Sequence, residues 1–87
     1  MCGIVGITST KKVSSSILNC LKKLEYRGYD SAGIATISEG QINELKSEGR
    51  VDRLEENFDL KNLKGNIGIG HVRWATHGIP NTVNAHP

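Results

Sequence analysis

A mixed fold of strands and helices, α+β or α/β, is what this 87-residue sequence predicts. Three observations point to it. Short apolar runs rich in β-branched residues, "GIVGIT", "GIATIS" and "NIGIGHVRW", read as strands. Two other stretches carry apolar residues at helical spacing. The two kinds follow one another as β-α-β-β-α-β, with no internal repeat and no linker between them.

Gly3 to Thr8 is apolar and reads as a buried strand. The polar "STKK" after it holds possible helix caps in Ser9 and Thr10. Val13, Ile17, Leu18, Leu21 and Leu24 then fall on one face of a helix. Lys22 and Lys23 near its end complement the helix dipole, and Gly28 is placed to close it in a left-handed cap. Gly33 to Ser38 is a second strand, Glu39-Gly40 a turn, and "QINELKSE" a third strand exposed on one face, so that a hairpin is expected. Val51, Leu54 and Phe58 predict a short amphipathic helix, which Gly65 breaks. "NIGIGHVRW" forms a fourth strand and runs into a polar loop from Ala75. The closing "NTVNAHP" has no charge run and no low complexity, and reads as a loop leading to another element. Residues 1–87 are therefore expected to be part of a domain, with no second domain among them.

Composition narrows the function classes. The net charge is only +2 and the basic residues are dispersed, which argues against a nucleic-acid surface. No apolar stretch is long enough to span a membrane, and the start lacks the basic and apolar segments of a secretory signal. Cys2 and Cys20 form neither a CxxC pair nor a disulfide framework, so a reduced, cytoplasmic protein is expected. His71, His77 and His86 match no zinc template, and the glycines at 65, 68 and 70 fit neither a dinucleotide fingerprint nor a P-loop. Neither a metal nor a cofactor is expected.

Three stretches carry chemistry. Cys2 stands directly behind the initiator methionine and is small enough for Met1 to be trimmed away. Trimming leaves a thiol and a primary amine on one residue. An α-amino group titrates near ~8 and serves as a base at neutral pH, while the thiol is an intrinsically strong nucleophile. Gly3 and Gly6 either leave room for a substrate at the strand edge or simply pack the strand. The second stretch, "YRGYDSAG", gathers Tyr26, Arg27, Gly28 and Asp30 between a helix and a strand; it reads equally as a site or as a helix end with a turn. In the third, "HVRWATHG", Arg73 offers a fork of donors suited to a carboxylate, Trp74 a flat apolar wall, and Thr76 and His77 short-range hydrogen bonds. That set suits the grip of a free amino acid. The competing readings are a surface salt bridge for Arg73 and a core anchor for Trp74.

In this order, "MCGIVGI", "LEYRGYDSAG", "HVRWATHG" and "NAHP" resemble the start of a class II glutamine amidotransferase. The three later motifs are most similar to the members that aminate fructose 6-phosphate. Other members usually have a histidine before the arginine, where this chain has Tyr26. The resemblance runs through all 87 residues. It implies a four-layer αββα sandwich of the N-terminal-nucleophile hydrolase type, present in part, and hence α+β. It implies Cys2 as nucleophile, with its own amine as general base once Met1 is gone. Arg73 would bind the α-carboxylate of L-glutamine, Trp74, Thr76 and His77 would belong to a mobile loop over bound glutamine, and Arg27 and Gly28 would lie beside the nucleophile. A homo-oligomeric parent with a separate sugar-isomerising domain is implied too. The oxyanion-hole residues and the group holding the substrate amine are expected beyond Pro87, so the 87 residues alone are expected to be inactive. The alternatives are a class II amidotransferase with another acceptor and a small binding module without catalysis.

Overall fold

The structure, a computed structural model, describes residues 2–74, 82–83 and 85–87. Its elements are β1 (Gly3–Thr8), α1 (Ser14–Leu24), β2 (Ser31–Ser38), β3 (Gln41–Glu48), α2 (Asp52–Asn57) and β4 (Ile67–Arg73). Single turns of 3-10 helix follow α1 at Glu25–Arg27 and α2 at Leu60–Asn62. The strands form one sheet in the order β1-β4-β2-β3. Each neighbouring pair is antiparallel, which settles the class as α+β.

Register divides the sheet into two unlike faces, because residues paired across strands point the same way. Val5, Gly70, Ile34 and Leu45 lie in one such row and face the helices. There Ile17, Leu21, Ile34, Leu54 and Val72 are fully buried. The helix α1 settles closely on β4 because Gly68 and Gly70 leave the space: a Cβ at Gly70 would lie 2.5 Å from Ile17 Cγ2 and 3.1 Å from both methyls of Leu21. Burial of side chains of this size is worth about 1.5–3 kcal/mol each, so α1 is held by its apolar face rather than by its ends.

The helix ends differ from the sequence expectation. Neither Ser9 nor Thr10 caps α1; Val13 holds that position with no side-chain bond, and Ser9 Oγ instead accepts from the Lys11 N–H at 3.2 Å. The α1 entrance is fixed from outside, by Val13 N–H donating to Gly65 O at 3.1 Å and Ser14 Oγ donating to Leu60 O at 2.9 Å. Gly28 is not a left-handed cap. Its φ is −178° and ψ 129°, extended backbone, and the turn before it closes through Gly28 N–H to Glu25 O. The hairpin turn does use positive φ, at Glu39 (52°) and Gly40 (75°), as two-residue hairpins require. Strand β2 starts at Ser31 rather than Gly33, since Ser31 pairs with Glu48 on one side and Arg73 on the other.

The opposite face is apolar and open. Ile4, Ile37, Ile42, Ile67 and Ile69 are 47–73% exposed on it. A shallow groove of about 320 Å³ runs between Ile37, Ile42, Ile67, Ile69 and Pro87. The segment 85–87 lies over part of this face. The His86 carbonyl presses on Gly33, where a side chain would collide with it, and the His86 ring stands edge-on to His71 with centroids 4.9 Å apart. Among the described residues no helix is long and apolar enough to cross a membrane.

Candidate active site

The antiparallel pairing of β1 with β4 sets Gly3 opposite Val72, so the residues just outside that pair, Cys2 and Arg73, meet at one end of the sheet. Cys2 is exposed and its thiol free. Its Sγ lies 3.4 Å from the Trp74 backbone nitrogen, which donates to it, and 3.9 Å from the Trp74 carbonyl oxygen. Arg27 Nε donates to the Cys2 carbonyl at 3.2 Å. Residues from positions 2, 27, 28, 73 and 74 thus converge.

The connection from Arg27 to Ser31 acts as the floor of this corner. Gly28 lies directly against the Arg73–Trp74 peptide, and the Asp30 N–H donates to the Arg73 carbonyl at 3.3 Å. Ser31 Oγ donates to Asp30 Oδ1 at 3.2 Å. Arg73 is only 5% exposed, which removes the surface salt bridge as its explanation. Trp74 is 45% exposed and so is not a core anchor; its ring meets Tyr29 edge-on at 5.7 Å, and the Arg50 guanidinium lies 5.2 Å from the Tyr29 centroid. Gly3 is explained by packing alone, since a Cβ there would lie 2.9 Å from Val72 Cγ2 and 3.1 Å from Leu24 Cβ. Gly6, by contrast, is exposed. Thr76 and His77 lie outside the described residues.

Two features escaped the sequence reading. Tyr29 is the aromatic partner of Trp74, and the density of aromatic and charged residues in "YRGYD" was the signal for it. His71 and His86 form a pair that only the third dimension creates. The Nδ1 of His71 is buried with no hydrogen-bond partner among the described residues. Burial, then the neighbouring His86 and Arg73, hold the His71 pKa below 6.5. The other cysteine, Cys20, sits half-buried on α1. Chemically the corner offers a free thiol at a strand end, a backbone N–H and C=O beside it, and a buried guanidinium next door in sequence to both.

No family profile matches the chain. Among curated proteins it is 59% identical over 87 residues to a glutamine–fructose-6-phosphate aminotransferase (isomerizing) of Pyrococcus horikoshii. It is 55% identical to the enzyme so named in Mesorhizobium japonicum and 54% to that in Agrobacterium fabrum. Each alignment covers 100% of this chain and 14% of the relative, so the chain spans about one seventh of those proteins and corresponds to their N-terminal part. Among solved structures, a glutamine phosphoribosylpyrophosphate amidotransferase from B. subtilis, complexed with ADP and GMP, superposes with a TM-score of 0.84 at 28% identity. It covers 100% of this chain and 18% of the other. A structure described as the allosteric regulatory enzyme of purine biosynthesis gives the same values. The fold is that of the N-terminal-nucleophile class II amidotransferase domain.

Proposed function

We propose that this chain, alike over its whole length to the N-terminal part of glutamine–fructose-6-phosphate aminotransferases, carries the nucleophile of a glutamine-hydrolysing domain. Its parent would convert L-glutamine and D-fructose 6-phosphate to L-glutamate and D-glucosamine 6-phosphate. The observation that supports this most is the meeting of Cys2 with the Arg73–Trp74 segment at one end of the sheet. A thiol there would have Arg73 as a substrate grip nearby, and the processed chain would supply its own base.

The chemistry proceeds in balanced steps. Once Met1 is removed, the Cys2 amine takes the thiol proton and sulfur bonds to the side-chain amide carbon of glutamine. The tetrahedral oxyanion needs donors, which residues outside this chain would supply. The carbon–nitrogen bond then breaks, the amine returns its proton to the departing nitrogen, and ammonia leaves behind a γ-glutamyl thioester. Water attacks the thioester, sulfur departs, and glutamate is released. Arg73 would hold the α-carboxylate by paired donors. Trp74, with Thr76 and His77, would cover the glutamine and keep water from the ammonia. Ammonia passes to a sugar-isomerising domain elsewhere in the protein. The reaction needs a reduced thiol, which fits a cytoplasmic setting.

A class II amidotransferase with a different acceptor is the second reading, favoured by the likeness in fold to the phosphoribosylpyrophosphate enzyme. Sequence identity supports the first: 51–59% toward the fructose-6-phosphate enzymes against 28% toward the other. In the full-length protein, Cys2→Ala is expected to abolish glutamine-dependent glucosamine 6-phosphate formation and to preserve formation from added ammonium. Retained glutamine dependence, or failure of wild type to aminate fructose 6-phosphate from either source, would contradict the proposal.

A further inference from the structure

We infer that Gly28 is a positioning residue for the nucleophile: its missing side chain lets the Arg73–Trp74 peptide seat against it with the Trp74 N–H aimed at Cys2 Sγ. The inference rests on Cys2 being the nucleophile and adds to that reading what fixes the direction of its sulfur.

The close approach is backbone on backbone. A Cβ at position 28 would lie 2.5 Å from the Arg73 carbonyl carbon, 2.7 Å from its oxygen and 2.8 Å from the Trp74 nitrogen. All three atoms belong to one peptide unit, which cannot swing aside as a flexible side chain would. Gly28 is extended, at φ −178°, a conformation open to any residue. Space, not backbone freedom, is what demands glycine here.

The same peptide unit touches the nucleophile on its nitrogen side, with Trp74 N–H donating to Sγ at 3.4 Å. Its carbonyl side is held by the Asp30 N–H at 3.3 Å. The peptide is therefore clamped between the Gly28–Asp30 segment and the sulfur. Cys2 is held from its other end by Arg27, through the Cys2 carbonyl. "YRGYD" thus brackets both partners of the Trp74–Cys2 contact. A methyl group at position 28 must open a 2.5 Å contact by about half an ångström, and reactions between positioned groups lose rate steeply when geometry shifts on that scale.

The test uses full-length protein and a diazoketone analogue of L-glutamine. In wild type the analogue labels Cys2; absence of that label overturns the nucleophile reading itself. In Gly28→Ala the labelling rate at saturating analogue is expected to fall at least tenfold while the protein still melts cooperatively. A folded Gly28→Ala that labels at the wild-type rate overturns the positioning role. A second measurement covers a variant that fails to fold: in wild type the Trp74 amide-proton chemical shift should move on Cys2→Ala. An unmoved resonance rules out the Trp74–Cys2 contact and the inference with it.

Discussion

Arg27 reaches across from the end of the first helix to donate, through Nε, to the carbonyl oxygen of Cys2 at 3.2 Å. The two residues are 25 positions apart, and the bond ties Cys2 to the turn that follows the first helix. Arg27→Gln is expected to slow alkylation of Cys2 by a diazoketone glutamine analogue by about ten- to a hundredfold, the scale on which misplaced reacting groups lose rate. Arg27→Lys keeps the charge without the Nε geometry and should fall between. Equal labelling rates in all three proteins would show that the bond does not position the nucleophile.

Arg73 should act on affinity more than on turnover. A hydrogen bond to a charged group contributes about 1.5–3 kcal/mol. Arg73→Gln is accordingly expected to raise the KM for glutamine by about ten- to 150-fold, with a smaller change in kcat. Because Arg73 is buried, its variant must be checked for intact folding alongside the kinetics. An unchanged KM in a folded variant would place the carboxylate grip elsewhere.

Ile17 and Gly70 occupy the same small volume between helix and sheet. Ile17→Ala is expected to cost about 2–5 kcal/mol through the cavity it leaves, and Gly70→Ala about 1–3 kcal/mol by overpacking. Together they should cost less than the sum, since each relieves the defect of the other. Urea denaturation of the two single variants and the double variant measures this coupling. Strict additivity would show that the helix is not seated on the glycines as described.

His71 makes stability depend on pH. Its folded pKa is below the unfolded 6.5, because of burial and then His86 and Arg73. In the window below 6.5 the unfolded chain therefore binds the proton more readily, and stability is lost as pH falls toward the folded pKa. The difference in Tm between wild type and His71→Gln should widen in favour of the variant on acidification from neutral pH. A constant difference would show that His71 titrates alike in both states.

Most of the fold was legible because it follows from local pattern. The β3 span was read from alternation and the β1 span from its apolar run, and both match the structure residue for residue. Helix caps were not, since the α1 entrance is fixed by Gly65 and Leu60, some fifty residues on in the chain. Ile42, paired with Ile37, is 73% exposed on the open side, where register decides orientation. Cys2, Arg27, Gly28, Arg73 and Trp74 stand out in their motifs, and the resemblance implies that Arg27 and Gly28 lie beside Cys2, yet the contacts between them have no signal in the sequence. Gly28 shows why: the sequence offers a helix-ending glycine, while its actual task is to admit a peptide from 45 positions away. The His71–His86 pair had no local signal at all, because it forms only where the end of the chain crosses the sheet.

The central claim is that Cys2, freed of Met1, is the nucleophile. Intact mass and peptide mapping of the full-length protein after reaction with the diazoketone glutamine analogue test it most directly. The expected result is a chain lacking Met1 that carries a single adduct, on Cys2, with Cys20 unmodified. An adduct on Cys20 instead, or no adduct on a chain lacking Met1, would contradict it.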